Sequence, residues 1–162
     1  MVSTETLLSY PYWKLSFIFH TYASDKQLGA VISQNIKPIA FSSRRLIKPH
    51  CNYTTTEKEL LAIMECLKPF RGIIFGYEIN IFSYNNNLLC AATLSEYQRV
   101  MHWRLIIEES GPIIQHIAGV DNIVAYTLSR ITYTPIDRYN TSTSKSQCCV
   151  IDFFTIVRLE NN

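Results

Sequence analysis

Residues 15–34, LSFIFHTYASDKQLGAVISQ, decide the fold. Two apolar runs are held apart by a short polar turn at Ser24-Asp25. Leu15 to Thr21 is predicted as a strand buried on both faces, and Leu28 to Gln34 as the next strand. The link QNIKP then leads to a third strand, Ile39 to Ser43. Sequential strands joined this tightly must run antiparallel. The first run ends in a tyrosine, Tyr22, at the kind of strand end where α/β sheets often place chemistry.

Downstream of this sheet, Thr54 is an N-cap candidate with Glu57 three residues on, the spacing of a capping box. Behind it, EKELLAIMECLKPF carries Leu60, Ile63, Met64 and Leu67 at helical spacing, and Glu59 borders that apolar stripe. Pro69 lacks the amide donor that a helix ladder needs, so it is expected to kink or end the helix. Tyr77 to Ser83 reads as a fourth strand stopping at Tyr84-Asn85-Asn86-Asn87, a run suited to turns. A second long helix starts at Ser95, with Gln98 in capping-box register, and Gly111-Pro112 ends it. IIQHIA is a fifth strand, and Asn122 caps a last helix, Ile123 to Ser129. Helical segments separate strands one, four and five, so these are able to run parallel. The predicted fold class is α/β: a mixed five-stranded sheet with helices packed on it.

Composition sets outer bounds. The 162 residues suit one domain with a tail, and 48% apolar residues are enough for an ordinary core. A net charge of +2 demands neither a nucleic-acid nor a membrane partner. Five cysteines without C-x-x-C spacing argue against a disulfide framework or a zinc site and for a reducing compartment. No apolar run is long enough to span a membrane, and the first residues do not read as a signal peptide. An intracellular location, cytoplasmic or nuclear, is the expectation. After Arg130 the chain turns Thr/Ser/Tyr-rich and reads as a linker. The acids are skewed, with scarce Asp against ten Tyr.

Several segments, taken in order, resemble one family. YASDKQLGAVISQ, KPIAFSSRRL, NYTTTEKELLAI, FRGIIFGYEINIFSYNNNL and RVMHWRLIIEESGPIIQHIAGVDNIVAYTLSR are similar to the RNase H domain of gypsy-type LTR retrotransposon polyproteins. The resemblance covers about residues 5–131. It divides the chain into an RNase H-like domain, 1–131, and a tail, 132–162, leading towards an integrase region. It implies an RNase H-like fold, reverse transcriptase and integrase segments as neighbours, and an RNA–DNA hybrid as partner. The implied reaction is endonucleolytic hydrolysis of the RNA strand with two Mg²⁺ ions, held by three Asp and one Glu.

Carried onto this chain, that catalytic set is disrupted. Glu59 stands where the family has its Glu. Tyr22 replaces the Asp of T-D-A-S, Tyr84 the Asp of D-H, with Asn85 for the His, and Tyr126 the Asp of V-A-D-x-L-S-R. Upstream, Tyr12 stands where the family often has Y-P-D. Asp and Tyr codons differ by one base, so one biased mutational process or a set of edits accounts for the pattern. Taken singly, each tyrosine is an ordinary amphipathic residue at a core boundary, and Glu59 an acid in a first helical turn. Taken together they read as a vestigial metal site.

Mg²⁺ needs several anionic oxygens at about 2.1 Å, and a phenol is neutral at pH 7 with an ordinary pKa of ~10. Hydrolysis is therefore expected to be lost, with Mg²⁺ a family cofactor not bound here. Asp25 and Asp121 are the nearby acids that a rescued site would need. Ser24, Arg44, Arg45 and Lys48 are the candidate nucleic-acid contacts. The alternatives are a non-catalytic nucleic-acid-binding or scaffold module and a residually active endonuclease. Removing three Asp lessens repulsion towards phosphate, which favours binding without metal.

Overall fold

The computed structural model describes residues 8–12, 14–85, 88, 98–131 and 148–152. Its sheet has the order β5-β4-β1-β2-β3-β6. The first three strands are β1 (Phe17–Ala23), β2 (Gln27–Gln34) and β3 (Lys37–Arg45), followed by β4 (Ile79–Ser83), β5 (Ile113–His116) and β6 (Cys148–Asp152). β1, β2 and β3 form an antiparallel meander, whereas β4 lies parallel to β1 and β5 parallel to β4. The five strands thus carry the mixed directions that the sequence predicts, in the order 3-2-1-4-5. β6 pairs antiparallel with the outer edge of β3. Residues 148–152 are therefore strand, where the composition of the tail reads as linker; residues 132–147 lie outside the described residues.

β1 is not buried on both faces. Its burial alternates, with Phe17, Phe19, Thr21 and Ala23 inside and Ile18, His20 and Tyr22 half-buried. The strand also continues past Thr21 to Ala23, so Tyr22 sits inside it. β2 is buried along its whole length. The β2–β3 hairpin turns at Asn35 and Ile36, both with positive φ (46° and 70°). Two positive φ values match the right-handed twist of the flanking strands. Isoleucine is nevertheless a poor residue for that conformation, because its branched Cβ crowds the backbone.

Among the described residues, α2 (Thr55–Ile74) and α4 (Ile123–Leu128) pack on the sheet, α3 (Gln98–Glu109) packs on α2, and the short α1 (Lys48–Cys51) follows β3. The short α1 is absent from the sequence reading. α2 opens with the expected capping box: the Glu57 amide donates to Thr54 Oγ1 at 3.3 Å and the Thr54 amide to Glu57 Oε2 at 2.8 Å. Pro69 does not end this helix, which runs on to Ile74. A proline removes one ladder bond, and the burial of Phe70 and Ile74 beyond it outweighs that loss. Ser95 lies outside the described residues, and Gln98 opens the described part of α3. Gly111, at φ +58°, follows the helix end as expected.

The core lies between α2 and the sheet, where Phe19, Ile63 and Ile81 are wholly buried. α4 packs against β1 and β2. Gly29 makes that contact possible. A Cβ there would meet Ala125 O at 2.2 Å, Ser129 N at 2.5 Å and Leu128 C at 3.0 Å, all of them backbone atoms. Ser43 Oγ and Gln27 Nε2 both donate to Leu128 O, at 2.8 and 2.9 Å. Polar anchors on β2 and β3 thus tie down the end of α4.

Candidate functional site

β1 and β4 run parallel, so their C-terminal ends lie side by side. α4 crosses this end, and Glu59, in the first turns of α2, reaches it from below. The strand register sets Tyr22 directly across from Gly29. Because Gly29 has no side chain, α4 comes close enough for Tyr126 to pack edge-on against Tyr22, ring centroids 5.2 Å apart. Tyr84, one residue past the end of β4, packs against the same ring at 6.0 Å. The three tyrosines therefore converge, with Tyr22 at the centre. His116, at the end of β5, stands 6.2 Å beyond Tyr84, and the Arg130 guanidinium lies 4.7 Å over the Tyr126 ring.

Glu59 is 1% exposed. Its Oε1 accepts from the Ala23 amide at 3.0 Å and its Oε2 from the Ser83 hydroxyl at 3.2 Å. These partners are the immediate neighbours of Tyr22 and Tyr84, so the carboxyl sits at the root of the tyrosine cluster. Burial pushes its pKa up to about 7, against the opposing pull of the Ala23 amide and the Ser83 hydroxyl. Tyr22 is raised from its ordinary value by burial and then by the Glu59 charge, while Arg130 pulls the other way. Burial thus shifts both groups towards their neutral forms.

Such a donor set suits a divalent cation poorly. Mg²⁺ takes hard, anionic oxygens in a near-octahedral shell. Here one carboxyl has both oxygens engaged, and the other three side chains are phenols rather than carboxylates. Asp25 gives no relief: it is bonded to Lys58 Nζ at 2.8 Å, and that contact holds its carboxyl below the ordinary range. Asp121 is exposed on the loop before α4. Among the described residues, no group of three or more His, Cys, Asp or Glu is placed to hold a metal ion.

The other candidates spread outward from this cluster. Ser24 Oγ donates to Ser129 O (2.8 Å), with Gln27 O at 2.9 Å, and accepts from the Gln27 amide at 3.0 Å. It thereby closes the β1–β2 turn and holds α4. Arg45 pairs with Gln27 at the end of β3, and Lys48 follows in α1, both exposed at the same end of the sheet as Tyr22. Arg44 is ion-paired with Glu65 of α2. Asn85 donates to Thr56 Oγ1 at 3.2 Å. Tyr12 lies apart from the cluster, its amide bonded to Gln34 Oε1 at the opposite end of β2.

Asn122 occupies the N-cap position of α4 without a capping bond. Its Nδ2 donates instead to Thr21 O at 2.9 Å, tying the loop to β1. Gly29, Ser43, Ser129 and Arg130 escaped the sequence reading as parts of this site. Only Gly29 carried a local signal, since a lone glycine in a strand marks a bulge or a close backbone approach.

The family profile described as "RNase H-like domain found in reverse transcriptase" matches residues 13–109. The chain belongs to this family. It is 36% identical over 132 residues to the retrovirus-related Pol polyprotein from transposon gypsy of Drosophila melanogaster, covering 80% of this chain and 13% of that polyprotein. It is 38% identical over 132 residues to the polyprotein from transposon 297 of the same organism, covering 81% and 12%. The RNase H-like chain thus spans about an eighth of the length of these relatives.

Solved structures agree on the fold. RNase H1 from Halobacterium salinarum matches with a TM-score of 0.54 at 15% identity, covering 71% of this chain and 93% of that one. A foamy viral protease-reverse transcriptase in complex with RNA/DNA hybrid matches at 0.57 and 18% identity, covering 80% and 18%. The RNase H-like family works with Mg²⁺. No helix among the described residues is long and apolar enough to cross a membrane.

Proposed function

We propose that this chain is a catalytically silent RNase H-like domain of a gypsy-type retrotransposon Pol polyprotein, a pseudoenzyme that retains the scaffold facing an RNA–DNA hybrid. In the polyprotein it would adjoin polymerase and integrase segments, with domain 1–131 as the RNase H-like unit. One observation carries the reading. Tyr22, Glu59, Tyr84 and Tyr126, which the motif resemblance matches to the family's carboxylates, lie together at the ends of β1 and β4, and Glu59 alone of the four is an acid. That acid is buried and fully hydrogen-bonded. Two-metal hydrolysis needs anionic ligands to fix both ions and to stabilise the attacking and leaving oxygens. Three phenols in place of carboxylates do not supply that set of ligands.

Binding of the hybrid is a separate matter from cleaving it. The foamy viral relative was captured with an RNA/DNA hybrid, as was LC11-RNase H1. In this chain Arg45 and Lys48 stand exposed near the cluster, and restoring three aspartates would lower the net charge of +2 by three. Phosphate attraction is therefore stronger without them.

Titration calorimetry with Mn²⁺ tests the metal half of this reading. The chain should give no saturable heat at millimolar metal. The triple variant Tyr22→Asp, Tyr84→Asp, Tyr126→Asp should bind, because the scaffold around Glu59 is in place. Saturable binding by the unmodified chain that Glu59→Gln removes would overturn the proposal.

A further inference from the structure

The tyrosine cluster has a shape of its own. Tyr126, Tyr22, Tyr84 and His116 touch in succession, at centroid spacings of 5.2, 6.0 and 6.2 Å and interplanar angles of 78°, 41° and 38°, a row of tilted rings each presenting a different face. The middle ring is half-buried and fixed by its strand. The rings on either side are open: Tyr84 is 49% exposed and Tyr126 39%. Gly119 lies against one edge of Tyr84, the nearest ring carbon 3.3 Å from where a Cβ would stand, so that edge is steadied. Arg130 caps the row over Tyr126.

Cations frame the row. Lys26 and Arg45 meet at the adjoining strand ends, where the Leu46 amide donates to Lys26 O at 2.8 Å, and Lys48 follows. The backbones of β1 and β3 are two strand spacings apart, about 10 Å, with Lys26 in the turn that joins β1 to β2. Asp25 is matched by Lys58, and the opposing acids are the buried Glu59 beneath the rings and the exposed Asp121 on the loop before α4.

Rings exposed in a row, with cations alongside, match one ligand chemistry. Unpaired nucleobases stack on aromatic faces whatever their sequence, while the phosphates between them are held by Lys and Arg. A paired hybrid offers no free base faces along its length, so the row is of little use to it. We propose that Tyr84, Tyr22 and Tyr126, flanked by His116 and Arg130, form a stacking surface for the unpaired bases of a single-stranded nucleic acid. The inference rests on the reading that metal chemistry is absent from this site, since bound cations and stacked bases would compete for the same space.

Fluorescence anisotropy on the full 162-residue chain tests it, with no divalent metal present. The probes are a thymidine oligonucleotide of about 12 residues, an abasic strand of equal length, and an RNA–DNA hybrid. The thymidine strand should bind about tenfold or more tightly than the abasic one, which carries the same charge. Tyr84→Leu and Tyr126→Leu should each reduce thymidine binding about tenfold and leave abasic binding unchanged. Tyr84→Phe and Tyr126→Phe should retain it, which separates stacking from simple apolar contact and from misfolding.

Equal affinity for the thymidine and abasic strands would overturn the proposal, reducing the surface to a cationic patch. So would hybrid binding without single-strand binding, a result that leaves the silent-domain reading intact. Tyrosine-dependent self-association with no oligonucleotide binding would mark the row as a protein contact instead and would also overturn it. Failure of the silent-domain reading shows separately, as saturable Mn²⁺ binding by the unmodified chain.

Discussion

Replacing Gly29 with alanine puts one methyl group where α4 meets the sheet. The new Cβ would stand 2.2 Å from Ala125 O and 2.5 Å from Ser129 N. A comfortable carbon–oxygen contact is about 3.3 Å, so α4 must withdraw by about 1 Å. These are backbone atoms, and no rotamer change relieves them. The withdrawal stretches three anchors: Ser24 Oγ to Ser129 O (2.8 Å), Ser43 Oγ to Leu128 O (2.8 Å) and Gln27 Nε2 to Leu128 O (2.9 Å). Overpacking costs about 1–3 kcal/mol, and each weakened bond adds up to about 1 kcal/mol. The expected loss is roughly 2–4 kcal/mol. With a urea slope of about 2 kcal/mol per M, the unfolding midpoint should fall by roughly 1–2 M.

Gly72→Ala is the internal control. It lies inside α2, where a Cβ would meet nothing within 4 Å. There alanine should stabilise by about 0.5–1 kcal/mol, because glycine is the poorer helix former. The two substitutions are chemically identical and should shift the midpoint in opposite directions. If Gly29→Ala changed stability by less than about 0.5 kcal/mol, α4 would not be seated on β2 as described, and the placement of Tyr126 over Tyr22 would fall with it.

Two further outcomes concern single residues. The Glu59 carboxyl is held at about 7 in the folded chain, above its unfolded value, so the native state binds the extra proton. Its burial therefore destabilises progressively as pH rises through the window from about 4.5 to 7, by up to about 3 kcal/mol. Glu59→Gln should be the more stable protein at pH 8, and its advantage should shrink towards pH 4.5; a pH-independent difference in urea melts would contradict the raised pKa of the buried carboxyl. At the hairpin, Ile36 holds φ +70° with 93% of its surface exposed. Ile36→Gly should raise stability by about 1 kcal/mol, read as a higher urea midpoint, since no packing is lost and strain is relieved. A lower midpoint would mean that the turn is not strained.

The strands flanking the Ser24-Asp25 turn and the capping box at Thr54–Glu57 are legible because each is a local pattern with a local cause; the alternating burial of β1 is not, since LSFIFHT reads as apolar on both faces. The five strands, their directions and the convergence of Tyr22, Glu59, Tyr84 and Tyr126 followed from those patterns and the family motifs together. Pro69 does not end the helix, because tertiary burial of Phe70 and Ile74 is invisible in a local rule about proline. β6 was missed because the composition of its surroundings resembles a linker, while strand pairing depends on the free edge of β3. Asn122 sits where a cap belongs yet turns to Thr21, about a hundred residues away in sequence, and no spacing rule reports such a contact. The row formed by Tyr84, Tyr22 and Tyr126 needed coordinates, since ring orientation and exposure are not written in the motif.

Cleavage of an RNA–DNA hybrid in Mg²⁺ or Mn²⁺ tests the central claim most directly. The unmodified chain should leave the RNA strand intact at protein excess, and Tyr22→Asp, Tyr84→Asp and Tyr126→Asp combined should introduce metal-dependent cuts. Metal-dependent cleavage by the unmodified chain, abolished by Glu59→Gln, would contradict the account.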